Sequence, residues 1–157
     1  MEKKQALKLY IVLSRAYHAV AEADKRKIRE YGLSPSEFAA MELLYHRGPQ
    51  PVQKIAAGVL LTSGSMTYVI TQLEKKNLIR RTLSGEDRRV YLVDLTGEGR
   101  KKMDAVFPVH ERFITELFGS LSDEKAALVT GQLKRLGKSI TQNQNEKEHI
   151  HDQNDRP

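Results

Sequence analysis

The side chains best placed for chemistry in this chain are hydrogen-bonding groups gathered on one short stretch. Met66, Val69, Ile70 and Leu73 recur at i, i+3, i+4 and i+7, one face of a helix running from about 62 to 76. Ser63, Gly64, Ser65, Thr67, Tyr68, Thr71, Gln72 and Lys75 then lie outward. Small hydroxyl residues near a helix start allow close entry into a major groove. Gln can pair with adenine, and Ser or Thr with several base edges. The helix N-terminus itself favours a phosphate. Farther along, Arg88 and Arg89 sit at a polar hairpin tip, where arginines suit a minor groove, and Asp87 beside them reads as their orienting partner. Lys75, Lys76 and Arg80 are the expected phosphate contacts. The chemistry predicted is recognition of double-stranded DNA. The same helix used only for protein–protein contact would present large apolar anchors, and of the outward residues only Tyr68 qualifies.

Other constellations fall short of their chemistry. Gly131 to Ser139 imitates a phosphate loop but has five residues between its glycines and lies on an amphipathic helical pattern with no strand before it. His110-Glu111 lacks a second histidine at 114, which is Ile, and His149 and His151 sit in a polar tail. No Ser, His and carboxylate set suggests a nucleophile, so no enzyme, metal or cofactor is expected. Tyr10, Tyr17, His18, Phe38, Tyr45 and His46 are candidates for a small-molecule effector pocket between the first two helices and the DNA-reading unit, since such pockets combine aromatic walls with few polar groups.

The elements that must position these groups are legible from caps and periodicity. Residues 4 to 31 read as a long helix with two apolar rows, predicting burial on more than one side, and Gly32 closes it. Ser34-Pro35-Ser36-Glu37 opens the next helix as a cap, a first-turn proline and a capping-box glutamate. His46 to Pro51 is a break, 52 to 60 a short helix, 78 to 83 and 90 to 95 two strands. Thr96 caps a further helix in which Pro108 predicts a kink. Ser122 starts the last helix, which ends near 140, and residues 141–157 read as a disordered tail. The fold class expected is mainly α with a small β-hairpin wing: a single domain over 1–140, holding a winged helix-turn-helix over 34–95 between terminal helices.

Composition agrees. The 157 residues carry a net charge of +6. The tail, with Lys147 and Arg156 against Glu146, Glu148, Asp152 and Asp155, contributes −2, leaving +8 on the body. A basic body favours a polyanionic partner. The chain has no cysteine, which excludes disulfides, thiolate metal sites and thiol sensing. The start, Met1-Glu2-Lys3-Lys4, is neither a signal peptide nor a membrane span, so a cytoplasmic protein without membrane partners is expected.

From Leu33-Ser34-Pro35-Ser36-Glu37-Phe38, through Leu73-Glu74-Lys75-Lys76-Asn77-Leu78-Ile79 and Asp87-Arg88-Arg89, to Leu95-Thr96-Gly97-Glu98-Gly99, the chain resembles the MarR family, the multiple antibiotic resistance regulators. Position 77 holds Asn where the family usually has Gly; Asn also tolerates the left-handed conformation, so the turn should survive. The resemblance implies a bacterial repressor, a homodimer interlocked through terminal helices (4–31 and 96–140), a pseudo-palindromic operator and a small-molecule or redox signal. Ser63-Gly64-Ser65-Met66-Thr67 is most similar to the branch answering organic hydroperoxides and quinones. That branch often senses through a cysteine in its first helix. Here the inducer must bind without a covalent bond, and a phenolic or quinone-like compound is expected.

Overall fold

The computed structural model describes the backbone of residues 2–59, 62–83 and 91–154. Its contacts divide the chain into two compact units, Met1–Thr115 and Glu116–Pro157. In the first, α1 (Lys3–Glu30) ends at Gly32, whose φ of 71° lies in the left-handed region. α2 (Pro35–Arg47) opens with the full capping box: Glu37 N donates to Ser34 Oγ at 3.2 Å and Ser34 N to Glu37 Oε2 at 2.8 Å. α3 (Val52–Val59) and α4 (Ser63–Lys75) follow, then β2 (Ile79–Leu83), β3 (Tyr91–Leu95) and α5 (Gly97–Leu117), which passes through Pro108 as one element.

β2 and β3 pair antiparallel with Ile79 opposite Leu95 and Leu83 opposite Tyr91. A two-residue strand, β1 (Gln50–Pro51), joins the other edge of β3 through Gln50 opposite Val93, inside the segment that sequence marks only as a break. Pro51 is tolerated because β1 is an edge strand.

The core is aliphatic. Ile28, Met41, Leu44, Ile55, Met66, Ile70, Leu73, Val93 and Met103 are fully enclosed. Much of the apolar surface of α1 is not: Leu9, Ile11, Val12 and Leu13 stay exposed and only Ile28 of that helix is buried, so the two-sided burial expected for it is not met within one chain.

In the second unit α6 spans Asp123–Asn154. Ser122 Oγ accepts from Lys125 N at 3.5 Å, and Asp123 and Glu124 occupy the first turn, where carboxylates complement the helix dipole. Where the sequence reads as a disordered tail from 141, the backbone is helical through Asn154. No Gly or Pro interrupts residues 138–156, and once a helix is nucleated, extension through Gln, Glu and Lys costs little even without an apolar stripe.

Candidate nucleic-acid interface

α4 is built to show two unlike faces. Thr62, its N-cap, accepts from Ser65 N at 3.3 Å and donates its hydroxyl to Ser65 Oγ at 2.9 Å. Met66, Val69, Ile70 and Leu73 are buried as their spacing predicts, while Ser65, Thr67, Tyr68 and Lys75 are exposed and Gln72 is half-buried. Tyr68 retains 67% of its surface. Thr71 donates back to the Thr67 carbonyl at 2.9 Å. Gly64 stands on the first turn with helical backbone, and a Cβ there would meet open space within 4 Å. Among the described residues nothing requires a glycine at 64.

The exit of α4 is a Schellman turn. Leu78 N donates to Leu73 O and Asn77 N to Glu74 O, with Asn77 at φ 55°, so asparagine takes the left-handed position as expected. The base of the wing is tied to this exit. Arg81 lies 3.2 Å from Glu74 and donates to Thr71 Oγ1 at 3.5 Å. Arg80 is exposed, 3.8 Å from Asp94, and remains accessible to a phosphate. Lys76, also expected at a phosphate, differs in its surroundings: its ammonium is 2.8 Å from the buried Glu37. Asp87, Arg88 and Arg89 lie outside the described residues, as does the side chain of Ser63.

The six aromatic and histidine candidates for an effector pocket do not come together within the chain. Tyr10, Tyr17 and His18 stand exposed on α1. Tyr45 donates to Asp104 at 2.8 Å, which raises its hydroxyl pKa, and His46 packs edge-on against Tyr45 and Phe107. His46 borders a cleft of about 490 Å³ with Leu43, Arg47 and Gly58. Phe38 borders a second, of about 290 Å³, whose polar residues include Asp24 and His110. The Phe38 and His110 ring centroids are 4.5 Å apart, and His110 Nε2 is 3.7 Å from Asp24 Oδ1. Asp24 Oδ1 and His110 Nδ1 are buried without a hydrogen-bond partner among the described residues. Burial pushes the Asp24 carboxyl up, against the opposing pull of His110. Neither residue is among the six pocket candidates, and His110 enters the sequence reading only in an incomplete metal pattern. Their one signal is that His110 falls on the row of Met103 and Phe107, a polar side chain at a core position.

This order of elements is shared with known proteins. Residues 33–91 match the MarR family. MhqR of Bacillus subtilis (strain 168), an HTH-type transcriptional regulator, is 44% identical over 139 residues, covering 88% of this chain and 96% of MhqR. The chain belongs to the MarR family. A probable transcriptional regulator from Pseudomonas aeruginosa superposes with a TM-score of 0.71 at 26% identity, covering 80% of this chain and 94% of that one. AbsC, a MarR family transcriptional regulator from Streptomyces coelicolor, shares the fold at a TM-score of 0.79 and 19% identity, over 90% and 97% of the two chains.

As a MarR family protein the chain is a DNA-binding transcriptional regulator and not an enzyme. The remaining motifs fit that identity. The phosphate-loop lookalike from Gly131 to Ser139 lies wholly within α6. His110 is buried against Phe38, and no cluster of metal-ligating residues occurs among the described residues. No helix among the described residues is long and apolar enough to cross a membrane.

Proposed function

We propose that this regulator is a homodimeric repressor that reads a pseudo-palindromic DNA site with α4 and is released by a small phenolic or quinone-like ligand. The observation that carries the DNA reading is the division of α4: one row is wholly given to the core, and the opposite face holds Ser65, Thr67, Tyr68 and Gln72, all hydrogen-bonding groups. Such a face donates to and accepts from base edges in the major groove, with Lys75 and Arg80 on flanking phosphates and Arg88 and Arg89 at the minor groove. Two copies are needed because a two-fold site repeats about one helical turn apart. The exposed apolar residues of α1, and separately those of α6 (Leu128, Val129, Leu133, Ile140), supply surface for that association.

Release without covalent chemistry follows from a sequence with no thiol. The cleft beside Phe38 suits a single-ring ligand. Phe38 and His110 offer aromatic walls, and Asp24 and His110 border the cleft with polar side chains that suit a ring hydroxyl.

The test is fluorescence anisotropy on a duplex selected by the protein from a randomised library, with single-base variants of that duplex and several salt concentrations. Gln72→Ala and Tyr68→Ala should each lose discrimination at one or two positions per half-site, by about 1–3 kcal/mol for Gln72 if its contact is bidentate. Arg89→Ala should weaken binding to all variants and flatten the salt dependence by about one unit per lost contact. Unchanged discrimination in both α4 variants would refute the reading of this helix.

A further inference from the structure

Lys76 is the C-cap of α4, and its side chain reaches back to the start of α2. The ammonium lies 2.8 Å from Glu37 Oε1, donates to Glu37 Oε2 at 2.9 Å and donates to the Gly32 carbonyl at 3.4 Å. A lysine has three donors. Here Glu37 and the Gly32 carbonyl engage the ammonium, although the side chain keeps 42% of its surface. Glu37 is equally committed. Its carboxylate is buried, accepts the Ser34 N–H that completes the α2 cap, and depends on Lys76 for charge balance. A buried carboxylate stripped of its partner is strongly unfavourable.

What this does for α4 follows from the kinds of force that hold the helix. Burial of Met66, Ile70 and Leu73 keeps α4 on the core, while the hydrophobic driving force is itself non-directional. A charge-assisted hydrogen bond is short and directional. Placed at the C-cap of the helix, on a partner 39 residues away in sequence, it sets where the outward face points. We infer that Lys76 is a positioning residue for DNA reading, fixing the end of α4 against the first turn of α2 through Glu37, and that it makes no phosphate contact. This rests on α4 being the reading helix proposed above.

The experiment compares full-length Lys76→Gln, Glu37→Gln, the double variant and Lys75→Ala on the selected duplex and on a scrambled duplex of the same composition. Folding is checked by circular dichroism at the temperature of measurement. Glu37→Gln keeps a side chain that completes a capping box while removing the charge. Lys76→Gln should weaken the selected duplex about tenfold or more and the scrambled duplex less than about threefold, with the slope of log affinity against log salt unchanged, whereas Lys75→Ala should flatten that slope by about one unit per subunit. Glu37→Gln should reproduce Lys76→Gln, and the double variant should be no worse than either, because both remove one interaction. Lys76→Arg should restore most of the affinity. If Lys76→Gln does not fold, Lys76→Met, which keeps the aliphatic stem, takes its place. A flattened slope in Lys76→Gln, or undiminished affinity, overturns the inference. Gln72→Ala and Tyr68→Ala serve as controls. If they lose discrimination while Lys76→Gln behaves as the unsubstituted protein, the positioning role alone is refuted. If they too are silent, the α4 reading falls and this inference with it.

Discussion

The hydroxyl of Thr96 donates to the carbonyl of Asn77 at 2.7 Å, joining the start of α5 to the exit of α4. The same oxygen accepts from Gly99 N at 3.0 Å, while Thr96 N donates to the Leu78 carbonyl at 3.1 Å. One residue thus caps α5 and locks the turn from which the wing departs. Gly99 completes the joint, because a Cβ at that position would collide with the Leu78 carbonyl.

Two substitutions should separate these roles. Thr96→Val removes the cap and the bond to Asn77 and should cost about 1–2 kcal/mol. Gly99→Ala forces a methyl against backbone, which cannot swing aside as a side chain can, and should cost about 1–3 kcal/mol or more. Urea unfolding at one fixed protomer concentration reads both. Wild-type stability in Gly99→Ala would show that α5 does not approach Leu78 so closely.

Acid should weaken the Glu37–Lys76 tie in a defined direction. Burial by itself raises the Glu37 pKa, but the hydrogen bonds from Lys76 and Ser34 and the charge of Lys76 outweigh it and hold the carboxyl below its ordinary value. A carboxylate depressed on folding stabilises fully above its unfolded pKa, about 4.3, and that stability is lost as pH falls through the lower folded value. The protein should be more stable than Glu37→Gln at pH 7, with the gap closing below about pH 4. A gap independent of pH would mean that the carboxylate charge is not what Glu37 contributes.

Asp24 should behave with the opposite sign. Its carboxyl is raised by burial, with His110 pulling the other way. Folding therefore favours the protonated acid, and the stability this gives is lost as pH rises through the folded value. Asp24→Asn should raise the thermal midpoint at pH 7, with the advantage shrinking on acidification. The same variant should blunt release from DNA by a phenolic ligand, since it replaces a carboxylate beside Phe38 with a neutral amide, a weaker acceptor for a ring hydroxyl. Release at unchanged ligand concentration would place that ligand elsewhere.

What sequence made legible here was local. The Ser34-Pro35-Ser36-Glu37 cap, the glycine at 32, the left-handed Asn77 and the buried row of α4 each rest on interactions within a few residues, and each is found. What it hid was made by pairing at a distance. Two residues of β1 carry no periodicity and become a strand only because Val93 lies opposite Gln50. Lys76 read as a surface cation because its acceptor is 39 residues earlier. The cleft beside Phe38 draws on α1, α2, α3 and α5, so counting aromatics along the chain selected Tyr10, Tyr17 and His18 and passed over Asp24 and His110. In the tail, lack of an apolar face argues against packing, not against helix.

Association should depend on α1. Leu9, Ile11, Val12 and Leu13 are all exposed within little more than one turn of α1, apolar surface of the kind that marks an interaction site. Removing residues 1–20 should abolish dimerisation and with it high-affinity binding to a two-fold duplex. Sedimentation at low micromolar protein reads this directly, and a truncated chain that remains dimeric would exclude α1 from the interface.

Gly64 should show stability and function moving in opposite directions. Its backbone is helical and space is open where a Cβ would stand, so alanine fits without strain. Replacing glycine in such a position narrows the unfolded ensemble and favours helix, and Gly64→Ala should stabilise the fold by about 0.4–1 kcal/mol. The glycine therefore lowers the stability of the free protein. It becomes intelligible if DNA approaches the first turn of α4 closely, where the N–H groups of a helix start face a phosphate and a methyl would hold it off. Gly64→Ala should then bind the selected duplex more weakly, with the loss growing in Gly64→Val, while its urea midpoint rises. Tighter or unchanged binding in both variants would show that the start of α4 does not approach DNA closely, and would leave recognition to the middle of the helix around Tyr68 and Gln72.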